Sequence, residues 1–343
     1  MDCKFRNIFK NIVKTAKNLW YFTIFASRIM PDTITIRKGL VIPIGGAAEL
    51  RLTDARSIRT YAVKPTDFVG LVPRLLVAEG DAVKVGDVLF CDKNDERIRF
   101  TSPVNGYVKA IVRGEKRKLL EVVVEADGIS AAAYKAPSDA EGIKALMLQC
   151  GLWPMLRQRP FGTVAHPDDK PKAIFVSAFS SAPLAPDDDF VMQGKEEFFK
   201  KGIEALAHLT DGTLHVCFKP EQHLAKHLLP HTSNIIPHYV KGPHPSGNIG
   251  TQIAHIDPIN KGEVVWTMNL QDVAVLGELV STGIYRPERV IAVAGPDIKN
   301  PHYYRVIQGA CMEEIVKAQL LNPNYPQIDA DDRSRSEERF SRH

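Results

Sequence analysis

The chain's five cysteines, Cys3, Cys91, Cys150, Cys217 and Cys311, are scattered, and none belongs to a C-x-x-C pair. A disulfide framework, a zinc site or an iron–sulfur cluster needs closer grouping, so the thiols read as free in a reducing compartment. No apolar run reaches the roughly 18 residues that a spanning helix requires. Neither G-x-G-x-x-G nor G-x-x-x-x-G-K-[ST] occurs, which removes the two commonest phosphate-cradling loops. No Ser-His-Asp or Cys-His arrangement carries a recognisable elbow or signature. An excess of one charge is also missing once its location is considered. The formal net charge is +4, but residues 1–30 hold Lys4, Arg6, Lys10, Lys14, Lys17 and Arg28 against Asp2, which is +5 and leaves residues 31–343 at −1. A near-neutral body has no footprint for nucleic acid.

What is present falls into three folded regions between two atypical ends. The basic leader, 1–30, contains the short apolar run Leu19–Phe25. It reads either as upstream sequence ahead of a natural start at Met30 or as an amphipathic surface anchor. From Asp329 the chain is DADDRSRSEERFSRH. So polar a stretch cannot offset the entropy of ordering, and 322–343 is expected to be a disordered tail.

Residues 31–128 read as all-β. Short apolar runs at Leu71–Val77, Val88–Cys91, Ile98–Phe100, Tyr107–Val112 and Leu119–Val124 are separated by turn pairs. Gly80-Asp81 and Gly86-Asp87 mark two turns, and Asn105-Gly106 predicts a tight type I′ hairpin, whose central residues must accept positive φ. The phrasing VAEGDAVKVGDVLF (77–90) followed by SPVNGYVKAI (102–111) resembles the biotinyl/lipoyl-carrier family, a barrel-sandwich hybrid. Lys93 is displaced from the place a modified lysine would occupy and A-M-K-M is absent, so the carrier fold is read as reused for structure. A modified-lysine carrier stays as a minor alternative.

A linker, 129–142, leads to an α/β region over 143–287. Strands are predicted at Ala173–Ala178, Thr213–Phe218, Ile235–Val240 and Val264–Met268. Helices are predicted at Gly194–Leu209, Glu221–Leu229 and Asp272–Leu279, the first from Phe198, Phe199, Ile203, Leu206 and Leu209 at helical spacing. Such alternation implies helices over a largely parallel sheet. After the first strand the chain reads FSSAPLAP and then Asp187-Asp188-Asp189, whose carboxylates would repel a pyrophosphate. A third region, 288–321, holds strands at Val290 and Arg305–Gln308 and a helix at Met312–Gln319.

Five ordered segments carry a wider resemblance: Ile34–Leu40 (ITIRKGL), which opens the β region; Gly151–Phe161 (GLWPMLRQRPF); Gly242–Gly247 (GPHPSG); Asn269–Val273 (NLQDV); and Gly295–Pro301 (GPDIKNP). Together they resemble the NqrA family of the sodium-translocating NADH:quinone oxidoreductase, from about 33 to 320. The resemblance implies an α+β multidomain fold: a barrel-sandwich hybrid, an α/β domain similar to the flavin-binding domain of complex I, and a partial ubiquitin-like (SLBB) module. It departs from the family pattern in two ways. Val41 stands where an acidic residue is usual, and the ubiquitin-like module breaks off after Leu321 with no helical domain behind it, as in a fragment or a frame change near Asn322. The missing C-x-x-C-x-x-C repeat separates the chain from its iron–sulfur relative in the Rnf complex.

The resemblance also implies a component on the cytoplasmic side of the bacterial inner membrane, held peripherally through its partners, chiefly one that spans the membrane. That complex would oxidise NADH, reduce ubiquinone and export Na+. Flavins, iron–sulfur centre and sodium path would belong to the partners, leaving this chain no cofactor, metal or catalytic residue of its own and a role in quinone access. The competing class is a stand-alone flavin- or NADH-binding oxidoreductase. Three constellations remain. His223, His227 and His231, spaced by four, read as solvated rather than ligating, since Pro230 intervenes. Trp153–Phe161 reads as linker packing. The rigid turn of Gly242, Pro243, His244, Pro245 and Gly247 is the candidate contact for a quinone head or for another component of the complex.

Overall fold

The computed structural model describes residues 33–55, 58–128, 130–137, 139–224 and 234–321. Two strands come first, β1 (Thr33–Thr35) and β2 (Glu49–Asp54). Seven more build the β region: β3 (Thr60–Val63), β4 (Pro73–Leu75), β5 (Ala82–Val83), β6 (Val88–Asp92), β7 (Arg99–Thr101), β8 (Asn105–Arg113) and β9 (Leu119–Gly128). They form one sheet of order β3-β9-β8-β5 and another of order β4-β6-β7. Alternation in β9 puts Val122 and Val124 fully inside, as a half-buried strand requires. Phe90 stacks on Phe100 at 4.7 Å, and Phe68 meets the same ring edge-on at 4.6 Å.

The predicted hairpin at Asn105-Gly106 is not there. Both residues lie inside β8, where the Asn105 side chain accepts from Val85 N–H at 2.9 Å. Gly106 (φ 155°) is needed for close approach instead: a Cβ there would sit 1.9 Å from the Glu125 carbonyl oxygen, beside a register shift in the ladder. The β8–β9 turn falls at Gly114–Lys118, with Lys116 and Arg117 in the left-handed region.

Next come β10 (Ala132–Ala133), α1 (Ala140–Cys150), β11 (Arg157–Arg159), β12 (Thr163–Val164), β13 (Ala173–Ser177), α2 (Asp188–Val191), α3 (Glu196–Ala207), β14 (Thr213–Phe218) and β15 (Ile235–Lys241). The α/β region ends with α4 (Ile249–Ile256), β16 (Val265–Asn269), α5 (Leu270–Thr282) and β17 (Ile284–Tyr285). A seven-stranded sheet runs β1-β15-β14-β13-β16-β11-β12, parallel from β1 to β16, with β11 antiparallel to both its neighbours. Strand β13 is buried almost throughout, which explains its unbroken apolar run. Helix α3 turns Phe199, Ile203 and Leu206 inward, and α5 is closed by Gly283 in the left-handed conformation. Of the helix predicted over Glu221–Leu229, residues 225–229 lie outside the described residues, as do His227 and His231.

The segment expected to open the β region, Ile34–Leu40, instead begins within β1 at the edge of the seven-stranded sheet. That strand pairs in parallel with β15, Thr33 opposite Tyr239, and Ile36 N–H still donates to Lys241 O at 2.8 Å. The edge of β15 has backbone groups that need partners, and Ile36, 4% exposed, fills a pocket formed with Val240 and Ile253. Strand β2 also leaves, running parallel to β19 (His302–Ile307), which pairs with β18 (Glu288–Val293) to complete a three-stranded sheet next to α6 (Met312–Val316).

The regions are tied by a few specific contacts. Arg97 chelates both Asp95 and Asp168, at 2.7 and 2.6 Å. Arg157 lies over the Phe68 ring at 4.3 Å, and Trp153, fully buried, donates to Ala165 O at 2.8 Å, so the start of the Trp153–Phe161 segment packs inward, whereas Phe161 at its end is 81% exposed and does not. Asp272, in the first turn of α5, pairs with Arg289 on β18 and accepts from Asn269 Nδ2. Among the described residues no helix is long and apolar enough to cross a membrane.

Candidate functional site

Parallel strands end where helices begin, so their carboxyl ends leave a crevice that loops must line. Here the loops after β13, β14 and β15 (Phe179–Ala185, Lys219–Glu221 and Gly242–Ser246) surround a cleft of about 880 Å³. The segment after β1 forms its remaining wall. Leu40, Val41, Ile42 and Ile44 are 68, 76, 50 and 46% exposed, an unusual run of uncovered aliphatic side chains. Leu40 N–H donates to His244 O at 2.9 Å, so this apolar segment is stitched directly to the glycine–proline turn.

Of the residues singled out in that turn, Gly242, Pro243 and His244 line the cleft; Pro245 and Gly247 do not, and Ser246 does. Gly242 (φ 144°) has the Ile36 carbonyl oxygen 2.1 Å from where a Cβ would be, so no side chain fits as the chain passes β1. Ser181, on the loop after β13, closes the turn. Its Oγ accepts from Gly247 N–H at 2.8 Å and shares a hydrogen bond with His244 Nδ1 at 3.1 Å. Beneath, Ser246 Oγ donates to Gly242 O at 2.8 Å, and Gln252 of α4 donates to Ser246 O at 3.1 Å and to Ser177 Oγ at 2.9 Å. The turn is therefore held from three sides before any ligand arrives.

The three aspartates sit in a smaller hollow of about 150 Å³ that shares Phe179, Lys219 and Glu221 with the cleft. Each carboxylate satisfies backbone N–H groups. Asp187 caps α2 through Phe190 N–H at 3.0 Å, Asp188 takes Ser180 N–H at 3.1 Å, and Asp189 takes those of His223 and Leu224 at 2.9 and 3.0 Å. The amides that a phosphate would need are thus taken by the protein's own carboxylates. Burial pushes the Asp188 carboxyl up to about 6, against the pull of the Ser180 amide and Lys219. Among the described residues, no three His, Cys, Asp or Glu side chains converge to hold a metal ion.

Ser181, Lys219, Asp188 and the Leu40–Ile44 wall were not singled out as site residues in the sequence. Ser181 and His244 are 63 residues apart, and no local pattern marks such a pairing. The aliphatic run Leu40-Val41-Ile42, followed after Pro43 by Ile44, is the one local signal that points outward.

Three family descriptions match the chain in order. The NqrA N-terminal barrel-sandwich hybrid domain matches 34–127, the NqrA second alpha/beta domain 138–285, and the NQRA C-terminal domain, of SLBB type, 290–327. The chain belongs to the NqrA family. The expected fold class therefore stands. The NqrA component of the Na(+)-translocating NADH-quinone reductase of Pseudomonas aeruginosa is 40% identical over 298 residues, 85% of this chain and 66% of its own length. Those of Alcanivorax borkumensis and Vibrio atlanticus are each 37% identical, over 84% of this chain and 65% of theirs. The chain spans about two thirds of the length of these curated relatives.

Proposed function

We propose that the chain works as the NqrA portion of a sodium-translocating NADH:quinone reductase, as a peripheral module on the cytoplasmic face of the inner membrane. It carries no redox group and gives ubiquinone access through the cleft at the strand ends. NADH oxidation, flavin and iron–sulfur electron transfer and Na+ movement belong, on this reading, to partner subunits. The observation that carries it is the chemistry of the 880 Å³ cleft. One wall is aliphatic and exposed, which suits an isoprenoid-bearing ring, while Ser181 and His244 supply polar groups for its oxygens. The aspartates support the absence of a bound nucleotide, because a flavin or dinucleotide phosphate would have to displace three carboxylates from their amides.

The test is titration of the purified chain with a short-chain ubiquinone, followed by calorimetry, together with its visible spectrum. Saturable binding is expected, weakened about fivefold by Ser181→Ala, which removes one hydrogen-bonded hydroxyl. Unchanged binding in the variant would move the quinone elsewhere. Stoichiometric flavin absorbance would instead favour a stand-alone oxidoreductase.

A further inference from the structure

A second hollow lies in the β region, far in sequence from the cleft, and has a different chemistry. One wall is the β8–β9 hairpin turn, Arg113-Gly114-Glu115-Lys116-Arg117-Lys118, and the other is the Val69–Val72 segment before β4. All four cations of the turn are exposed. Among the described residues none of them has a carboxylate within salt-bridge distance; Arg113 donates only to Arg117 O, at 3.2 Å. Several other cations of the region are paired. Lys64 pairs with Glu121, Arg74 with Glu96, Arg97 with Asp95 and Lys109 with Glu125. The left-handed backbone at Lys116 and Arg117 (φ 52° and 61°) gathers these four cations into one tight turn around a single carboxylate, Glu115, which leaves the turn with an excess of positive charge.

Beside this turn lies uncovered apolar surface. Val69 and Val72 are 59 and 45% exposed. The hollow between them measures about 430 Å³ and is open, lined by Arg113, Arg117 and Lys118 on one side and Val69, Leu71 and Val72 on the other. A partner must therefore be negatively charged and apolar within a few ångströms. We infer that the β8–β9 turn and the Val69–Val72 segment form a direct docking surface for a bilayer rich in anionic phospholipid. Phosphate headgroups neutralise the turn, and the valines enter the headgroup–acyl boundary. An added peptide strand fits less well: β4, beside the patch, begins with Pro73, which has no N–H for a strand ladder. The inference is independent of the cleft reading, since it shares no residue with it.

The test uses the full chain with Val72→Trp as a reporter, because residues 1–30 are themselves basic and vesicle binding alone would not locate the contact. With vesicles containing phosphatidylglycerol, emission from the introduced indole should shift to the blue and be quenched by brominated acyl chains; vesicles of phosphatidylcholine alone should leave it unchanged. Each cation brought to an anionic leaflet strengthens partitioning about fivefold, so Arg117→Gln with Lys118→Gln should weaken reporter-detected binding about 25-fold. The melting temperature of this exposed double variant should not change, which keeps folding out of the result. Vesicle binding that leaves the reporter at its water-exposed wavelength would assign the contact to the leader and overturn the inference. So would the absence of binding. A shift caused by an acidic peptide but not by vesicles would assign the surface to a protein partner, and would overturn it equally.

Discussion

Asp188 and Asp272 occupy matching places in the α/β region: each follows a parallel strand of the same sheet and lies in the first turn of a helix. Burial raises both carboxyls above the ordinary range. What surrounds them differs. Asp272 is completely enclosed and meets Arg289 and the Asn269 amide, with Arg157 nearby, while Arg289 also donates to Gln308 at 3.1 Å. Charge meets charge there, and the effect is to weld α5 to the third sheet. Asp188 has a backbone amide, no cation within ion-pair distance among the described residues, and an open hollow beside the cleft. A closed set of partners makes a joint. An incomplete set keeps capacity for a proton or a ligand, at a cost in stability.

The largest expected effect tests the joint. Asp272→Ala leaves the Arg289 guanidinium, 14% exposed, largely buried without its carboxylate and should cost about 3 kcal/mol in denaturant unfolding. A loss below about 1 kcal/mol would show that the pair is screened. Replacing both residues by apolar ones of similar volume should recover most of the loss, since the cost lies in the unpaired charge.

The middle effect has the opposite sign. The folded protein holds the Asp188 proton more tightly than the unfolded chain does, because its carboxyl titrates at about 6 rather than at the ordinary 3.8. Stability is therefore lost as pH rises from about 4 through about 6 and stays at the lower level above. Asp188→Asn should stabilise the protein at pH 7 by up to about 2 kcal/mol, and the gain should vanish below about pH 4. A gain independent of pH would place its origin in packing instead.

The smallest effect comes from an exposed ion pair. Arg97 bonds two aspartates with good geometry, yet its side chain is 47% exposed and that of Asp168 60%. Arg97→Gln should move the melting temperature by no more than about 2 °C, because solvent screens such pairs. A larger drop would mean that the β and α/β regions depend on this clamp for their docking.

The sequence by itself settled what repeats locally. The buried run Ala173–Ser177, the Phe199/Ile203/Leu206 stripe of α3 and the Gly-Asp turns of the β region are each written within a few residues, because burial on two faces, helical pitch and positive φ are local requirements. The five ordered segments also identified the family. Tertiary structure decided the rest. Thr33–Thr35 carries an ordinary strand pattern, but its choice of β15 over a neighbour in the β region depends on an unpaired edge about 200 residues away. Asn105-Gly106 has the composition of a turn, and only the approach of Glu125 shows that the glycine serves a bulge. The cleft is the clearest case. Leu40, Ser181, Lys219 and His244 have no spacing in common, and they share a cleft because parallel strands deliver their loops to one end of the sheet.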